Sequence, residues 1–307
     1  MIYKVFFSGL FFLTLCIVSL ALSNHTISYG ATAPTVNSTT IAITSGGSSA
    51  SSFIPTESTT RTIYIHGNIT DPDGCEDVAT TTGSVVAKFY RTNHASSSSC
   101  SNDNNDCYSV SNANCSKTGC TGPGDNDFNY ECTADIWYYA DTTLAGAQSA
   151  TNWTAKVTAT DSSALSANQT STVEMFSLIA LDIPGSIAYG TLGPDEQSAE
   201  QTNTITNTGN SGIDVNVRVD GAMTCSAGSI DTANVRYSTS SGFNYDTASS
   251  TATTDQETEL DLSPRTDDAA SSTKSMYFKL KTPQSGSGGA CSNTLTITAK
   301  VDQENGW

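Results

Sequence analysis

The chemistry this chain could perform rests on its carboxylates and its cysteines. Asn102-Asp103-Asn104-Asn105-Asp106 and Asp125-Asn126-Asp127 fall in a stretch, residues 93–131, that also carries Cys100, Cys107, Cys115 and Cys120. Carboxylate and amide oxygens on a disulfide-pinned loop are the hard donors that calcium takes. Asp103, Asp106, Asp125 and Asp127 are therefore the candidate ligands, and no other cofactor is implied. Asp71-Pro72-Asp73-Gly74 is a second acidic turn. It lacks the further oxygen ligands and the closing Glu of a helix-loop-helix calcium site, so the sequence reads it as a Pro-Asp-Gly turn between strands.

Of the 9 cysteines, Cys16 lies in the N-terminal apolar run. The others are Cys75, Cys100, Cys107, Cys115, Cys120, Cys132, Cys225 and Cys291, six before residue 140 and two after residue 220. An even set in an exported chain reads as bridges, three in the first half and one in the second. Cys225 and Cys291 pair because they are alone in their half, while the connectivity of the other six stays open. Zinc is the rival reading, but there is no Cys-x-x-Cys and only His94 lies nearby.

Enzymatic constellations are missing. The 3 histidines are His25, His66 and His94, without a His-Glu-x-x-His, a Gly-x-Ser-x-Gly or a phosphate loop. Serines without a partnered base are not nucleophiles. A carboxylate pair for glycoside hydrolysis is a spatial feature that sequence does not exclude, and 30 acidic residues make chance pairs common. The chain is read as a non-enzyme. Trp137-Tyr138-Tyr139 could form an aromatic platform for sugars, although a strand Trp in a β-sandwich is more often core, as Trp153 is expected to be. The residues of any carbohydrate site are not specified.

A net charge of -17 with no cluster among the 13 Lys and Arg cannot neutralise a run of phosphates, which argues against nucleic acid as a partner. Leu, Ile, Val and Phe make up about 15% of residues 24–307, below the roughly 20% at which disorder becomes a rival reading. Against disorder stand the cysteines and a repeated period-two pattern. Lys4 followed by the apolar run from Val5 to Leu22, with small residues at Ala21 and Ser23, reads as a signal peptide over residues 1–23. No second apolar run of spanning length follows, so no membrane span is expected after cleavage.

Strands are expected almost everywhere. Trp153, Ala155, Val157 and Ala159 alternate with polar residues; so do Ile213, Val215, Val217 and Val219, then Met276, Phe278 and Leu280, and Leu295, Ile297, Ala299 and Val301. Strands separated by Gly, Asn, Asp and Ser clusters predict an all-β fold of two tandem antiparallel sandwiches. Residues 24–60 form a Ser/Thr-rich tail and first edge strand. Residues 61–180 form the first sandwich, with 93–131 as a disulfide-rich insertion loop, and residues 181–307 form the second. The apolar run Val173 to Ile183 is expected to be the last strand of the first sandwich, and Ile187 to Leu192 the first strand of the second. A link so short limits motion between them.

Asn68-Ile69-Thr70-Asp71-Pro72-Asp73-Gly74-Cys75, Phe89-Tyr90-Arg91 and Trp153 to Asp161 resemble immunoglobulin-like and polycystic-kidney-disease-like modules of microbial surface proteins. Ile187 to Leu192, Asn207-Thr208-Gly209-Asn210 and Ile213-Asp214-Val215 resemble a second module that follows such a domain in exported proteins of small-genome, host-attached bacteria. The resemblance spans most of residues 60–301 and implies fold and location, with no catalytic residues to carry over. The expectation is a secreted, cell-surface-associated structural or adhesion protein, with a carbohydrate-binding module as the alternative. Its partner would be a surface protein or glycan of another cell, or further copies of itself.

Overall fold

In the computed structural model the described residues are 30–302 except 81, 95–99, 123, 145 and 270. The signal-peptide reading of residues 1–23, with Cys16, and His25 lie outside them.

Alternation decides where the long strands form, because a period of two puts every second side chain on one face of a sheet. The first half runs β1 (Thr35–Val36), β2 (Thr40–Ala42), β3 (Ser52–Phe53), β4 (Thr60–Thr70), helix α1 (Glu76–Ala79), β5 (Ser84–Arg91), β6 (Cys107–Val110), β7 (Cys115–Thr118), β8 (Asp127–Trp137), β9 (Trp153–Thr160) and β10 (Ser166–Met175). One sheet has the order β1-β4-β8-β7, with β2 also on β4, and a second has the order β3-β10-β9-β5-β6. The β4–β8 ladder is continuous from Thr60 opposite Trp137 to Thr70 opposite Asp127. It sets Ile63 against Ala134, Ile65 against Cys132 and Ile69 against Phe128. These side chains are buried with Val85, Ala87 and Phe89 of β5 and with Trp153, Ala155, Val157 and Ala159 of β9, so both sheets feed one core. Phe89 stacks on Trp153 at 4.8 Å between ring centroids, and the indole N–H donates to the Asp141 carbonyl at 2.8 Å. The indole thus buries its apolar surface without orphaning its polar atom.

The second half runs β11 (Leu181–Asp182), β12 (Gln201–Asn207), β13 (Ile213–Val219), β14 (Met223–Ile230), β15 (Val235–Ser238), β16 (Ser249–Ser250), β17 (Gln256–Leu262), β18 (Thr273–Leu280), β19 (Ser287–Ser292) and β20 (Leu295–Val301). Its sheets are β11-β12-β18-β15-β16, β17-β13-β20 and the ribbon β14-β19. Ile205, Met276, Phe278, Val235 and Tyr237 meet Ile213, Val215 and Val217 in a second core that shares no residue with the first. The protein is mostly β. All pairings among the described strands are antiparallel save β3 with β10.

Three expectations are corrected. Residues 93–131 are more than a disulfide-rich insertion loop: β6 extends one sheet beside β5, β7 extends the other beside β8, and β8 itself begins at Asp127. Residues 24–60 supply three short strands to two sheets rather than a single edge strand. Val173 to Ile183 is not one strand either. β10 stops at Met175, and Leu181–Asp182 already pairs with β12. No strand covers 187–192, where Ile187, Tyr189 and Leu192 pack instead against the second core. Strand length follows from available partners, which local apolarity does not report.

Among the described residues no helix is long and apolar enough to cross a membrane.

Candidate functional site

Four disulfides frame the molecule: Cys75 with Cys120, Cys100 with Cys107, Cys115 with Cys132, and Cys225 with Cys291. Two of them join directly opposed residues of neighbouring strands, Cys115 and Cys132 on β7 and β8, and Cys225 and Cys291 on β14 and β19. The bridge from Cys75 to Cys120 ties α1 to the loop after β7.

The four aspartates proposed from sequence as calcium ligands divide into two separate pairs, each used in local bonding. Asp106 takes His94 Nδ1 at 2.9 Å, and Asp103 accepts from the Ser101 hydroxyl. The backbone carbonyl of Asp103 receives the Tyr139 hydroxyl at 3.2 Å. Beside them Arg91 Nε reaches Asp141 at 2.7 Å, and Asn105 donates to the same carboxylate. This network staples the start of the 93–131 segment to the end of β5. Burial pushes the Asp141 carboxyl above the ordinary range, opposed by the Arg91 charge and by the hydrogen bonds from Arg91 and Asn105. The second pair closes its own turn. Asp125 accepts from the Asp127 backbone N–H at 3.2 Å and from Thr121 N–H and hydroxyl at 3.1 and 3.0 Å, which hold its carboxyl below the usual range. Asp127 accepts from the Thr70 hydroxyl across the β4–β8 ladder. The fold does not assemble these four residues into one ligand set.

Among the described residues, three-carboxylate groups with one oxygen each inside 4.8 Å occur at Asp71, Asp73 and Asp77, and at Asp214, Glu259 and Asp261. In the second group Asp214 is committed to the backbone: its Oδ1 receives the N–H groups of Leu260 and Asp261, both at 2.9 Å.

The first group is built by the turn that follows β4. Asp71 Oδ1 accepts the Asp73 N–H at 2.9 Å, and the Gly74 N–H returns to the Asp71 carbonyl at 3.1 Å with Gly74 at φ +115°. This is the aspartate-led turn that Pro-Asp-Gly forms readily. Its flank is fixed by Asp71 N–H to the Asn126 carbonyl and Cys75 N–H to the Asp125 carbonyl, at 2.8 and 2.7 Å. The Asp73 carboxylate accepts the Thr32 N–H on Oδ2 at 2.6 Å. Asp71 is 0% exposed, and its Oδ2 has no hydrogen-bond partner. Burial raises its pKa, opposed by the Asp73 N–H and reinforced by the charges of Asp77, Asp73 and Asp161. Asp161, at the end of β9, is 2% exposed; its Oδ1 accepts Ser163 and Leu165 N–H at 2.8 Å each, and its Oδ2 is likewise buried without a partner. The signal for this group was the spacing Asp, Asp two residues on, Gly, then Asp three residues later.

The aromatic triplet is structural in its packing. Tyr138 and Tyr139 are buried, and Trp137 is half-buried and stacked on Tyr139 at 5.7 Å. Arg265 lies over the Tyr139 ring at 5.2 Å and reaches the Tyr138 hydroxyl at 3.4 Å. A groove of about 350 Å³ between β15 and β17 is lined by Tyr237, Phe243, Asn244 and Glu257, whose carboxylate pairs with Lys300. His66 Nε2 bonds the Gly47 carbonyl at 3.0 Å.

No family model matches the chain, and no curated protein matches it. Among solved structures, the CsuC–CsuE chaperone–tip adhesion subunit complex of Csu pili from Acinetobacter baumannii aligns at 10% identity, covering 86% of this chain and 100% of that one, with a TM-score of 0.37. The chaperone–tip adhesin complex of CFA/I fimbriae aligns at 9% identity over 90% and 92% of the two chains, with a TM-score of 0.31. A chimeric titin Z1Z2 aligns at 11% identity over 89% and 98%, with a TM-score of 0.20. These are distant similarities between β-rich proteins, and scores of this size carry no argument about function.

Proposed function

We propose that this chain is an exported, non-enzymatic structural or adhesion component, built as two tandem immunoglobulin-like sandwiches over residues 61–180 and 181–307 and held at a cell surface. The observation that carries the reading is the use to which reactive side chains are put. All eight described cysteines are bonded in pairs, and His94, Arg91, Asp106 and Asp141 are engaged in holding the frame. Four bridges suit an oxidising compartment and a chain poor in large aliphatic residues. Two separate cores, each fed by more than one sheet, support the tandem arrangement. The partner is a surface protein or glycan of another cell, or a further copy of this chain. Sugar binding through Trp137 is the weaker reading, since that ring is half-buried against Tyr139.

The test is expression in a secreting host, followed by fractionation and a cell-attachment assay with the purified chain immobilised on beads. Export, retention at a surface and bead attachment are expected. A reduced protein found only inside the cell, or oxidised protein that neither attaches nor self-associates, refutes the proposal.

A further inference from the structure

We propose that Asp71, Asp73 and Asp77 form a calcium site at the end of the first β-rich half. This reading replaces the ligand set expected from residues 103–127 and does not depend on the adhesion reading.

One oxygen from each of Asp71, Asp73 and Asp77 lies within 4.8 Å of the others, a span that a single ion with oxygen ligands at roughly 2.3–2.6 Å bridges. Acidic clusters of this kind are common without an ion; a buried atom distinguishes this one. A carboxylate oxygen removed from water and left without a donor is a costly arrangement. Here Asp71 Oδ2 is such an atom, on a side chain that is 0% exposed. A divalent cation satisfies that oxygen and relieves the repulsion among the three carboxylates in one step.

The frame is set before any ion arrives. The Cys75 to Cys120 bridge, the two backbone bonds to the 125–126 segment and the Asp71 turn fix the positions of the donors. Gly83 lets the start of β5 pass close to α1 and the end of β9, since a Cβ there would stand 2.3 Å from the Asp77 carbonyl and 2.9 Å from that of Thr160. The donor set is all oxygen, without His or Cys, and comes from a turn and a short helix. Such an irregular cage suits calcium, with its flexible coordination, better than magnesium, which demands near-ideal octahedral geometry.

The experiment is calorimetric titration of the full oxidised chain with calcium chloride and separately with magnesium chloride, alongside thermal unfolding in calcium and in chelator. One calcium per chain is expected, in the range of roughly 10⁻⁴ to 10⁻³ M usual for extracellular modules. Saturating calcium should raise the melting temperature. Asp73→Asn combined with Asp77→Asn, at positions that are exposed and half-buried, should fold and weaken calcium binding about tenfold or more as ligand charge is lost. Asp103→Asn with Asp106→Asn should leave it unchanged. Absence of binding at millimolar calcium overturns the proposal. So does a calcium response untouched in the folded Asp73/Asp77 double variant, or magnesium binding as well as calcium.

Discussion

Tyr130 shows how one side chain can hold an edge in place. Its hydroxyl donates to the Ser38 carbonyl at 2.8 Å and lies 2.9 Å from the Thr39 hydroxyl, so β8 is tied from within to the segment that links β1 and β2. The segment can come this close because Gly67 stands opposite Tyr130 in the ladder; a Cβ at Gly67 would sit 2.0 Å from the Ser38 carbonyl oxygen. Tyr130→Phe removes the bond and leaves that carbonyl without its donor, an expected loss of about 1–2 kcal/mol in urea unfolding. The pH dependence has a definite sign. Burial pushes the Tyr130 phenol from 10.0 up to about 12. As pH rises from 10.0 towards about 12, the unfolded chain releases this proton while the folded chain keeps it, so stability falls across that window. The wild-type protein should lose more stability over that alkaline interval than Tyr130→Phe does; equal slopes in paired denaturation curves would show the phenol is not buried as described.

Among the elements, the β14–β19 ribbon depends most on a covalent tie. Its strands read Met-Thr-Cys-Ser-Ala-Gly-Ser-Ile and Ser-Gly-Gly-Ala-Cys-Ser, and most of their side chains are exposed or half-buried. An isolated two-stranded ribbon is marginal in water, and this one has little apolar surface to add. The Cys225 to Cys291 bridge spans 66 residues of sequence, so loop closure alone predicts roughly 4 kcal/mol from it. The Cys100 to Cys107 bridge spans 7 residues and is worth about 2 kcal/mol on the same basis. Replacing each pair by Ala and comparing chemical unfolding should therefore rank the Cys225/Cys291 variant as the less stable. The reverse order would mean that the ribbon is held by its surroundings instead. Sequence located the bond between Cys225 and Cys291 by isolation, but gave no hint of the strands around it, because Ser and Gly runs carry no alternation. β9 was the opposite case: Trp153, Ala155, Val157 and Ala159 announced both its limits and its inner face.

Across the whole molecule, the Asn207-Thr208-Gly209-Asn210 segment is the clasp between the parts that carry the two cores. Asn207 Nδ2 donates to the Ser211 carbonyl at 2.8 Å and its Oδ1 accepts Gly209 N–H at 2.9 Å, which folds the loop on itself. Asn210, 2% exposed, then donates to the carbonyls of Ala140 and Phe176 at 2.9 and 3.1 Å and accepts Leu178 N–H at 2.6 Å. Thr208 adds a hydroxyl bond to Glu57 at 2.9 Å. Gly209 is obligatory for the contact, since a Cβ there would lie 1.9 Å from the Leu178 carbonyl oxygen. Asn210→Ala should cost about 2–3 kcal/mol for three buried bonds and increase proteolytic cutting at residues 176–180; unchanged cutting and stability would show the clasp to be dispensable. In the sequence these residues carried only part of a family resemblance. The sequence by itself determined the β character, the inner faces of the alternating strands and the isolated Cys225/Cys291 pair, because each depends on a local period or a count. Only the tertiary structure decided which carboxylates meet, that residues 93–131 are woven into both sheets, and that Asn210 fastens the parts. Those outcomes depend on distant segments arriving at one place, and neither spacing nor composition encodes where β4, β8 and β9 end relative to one another.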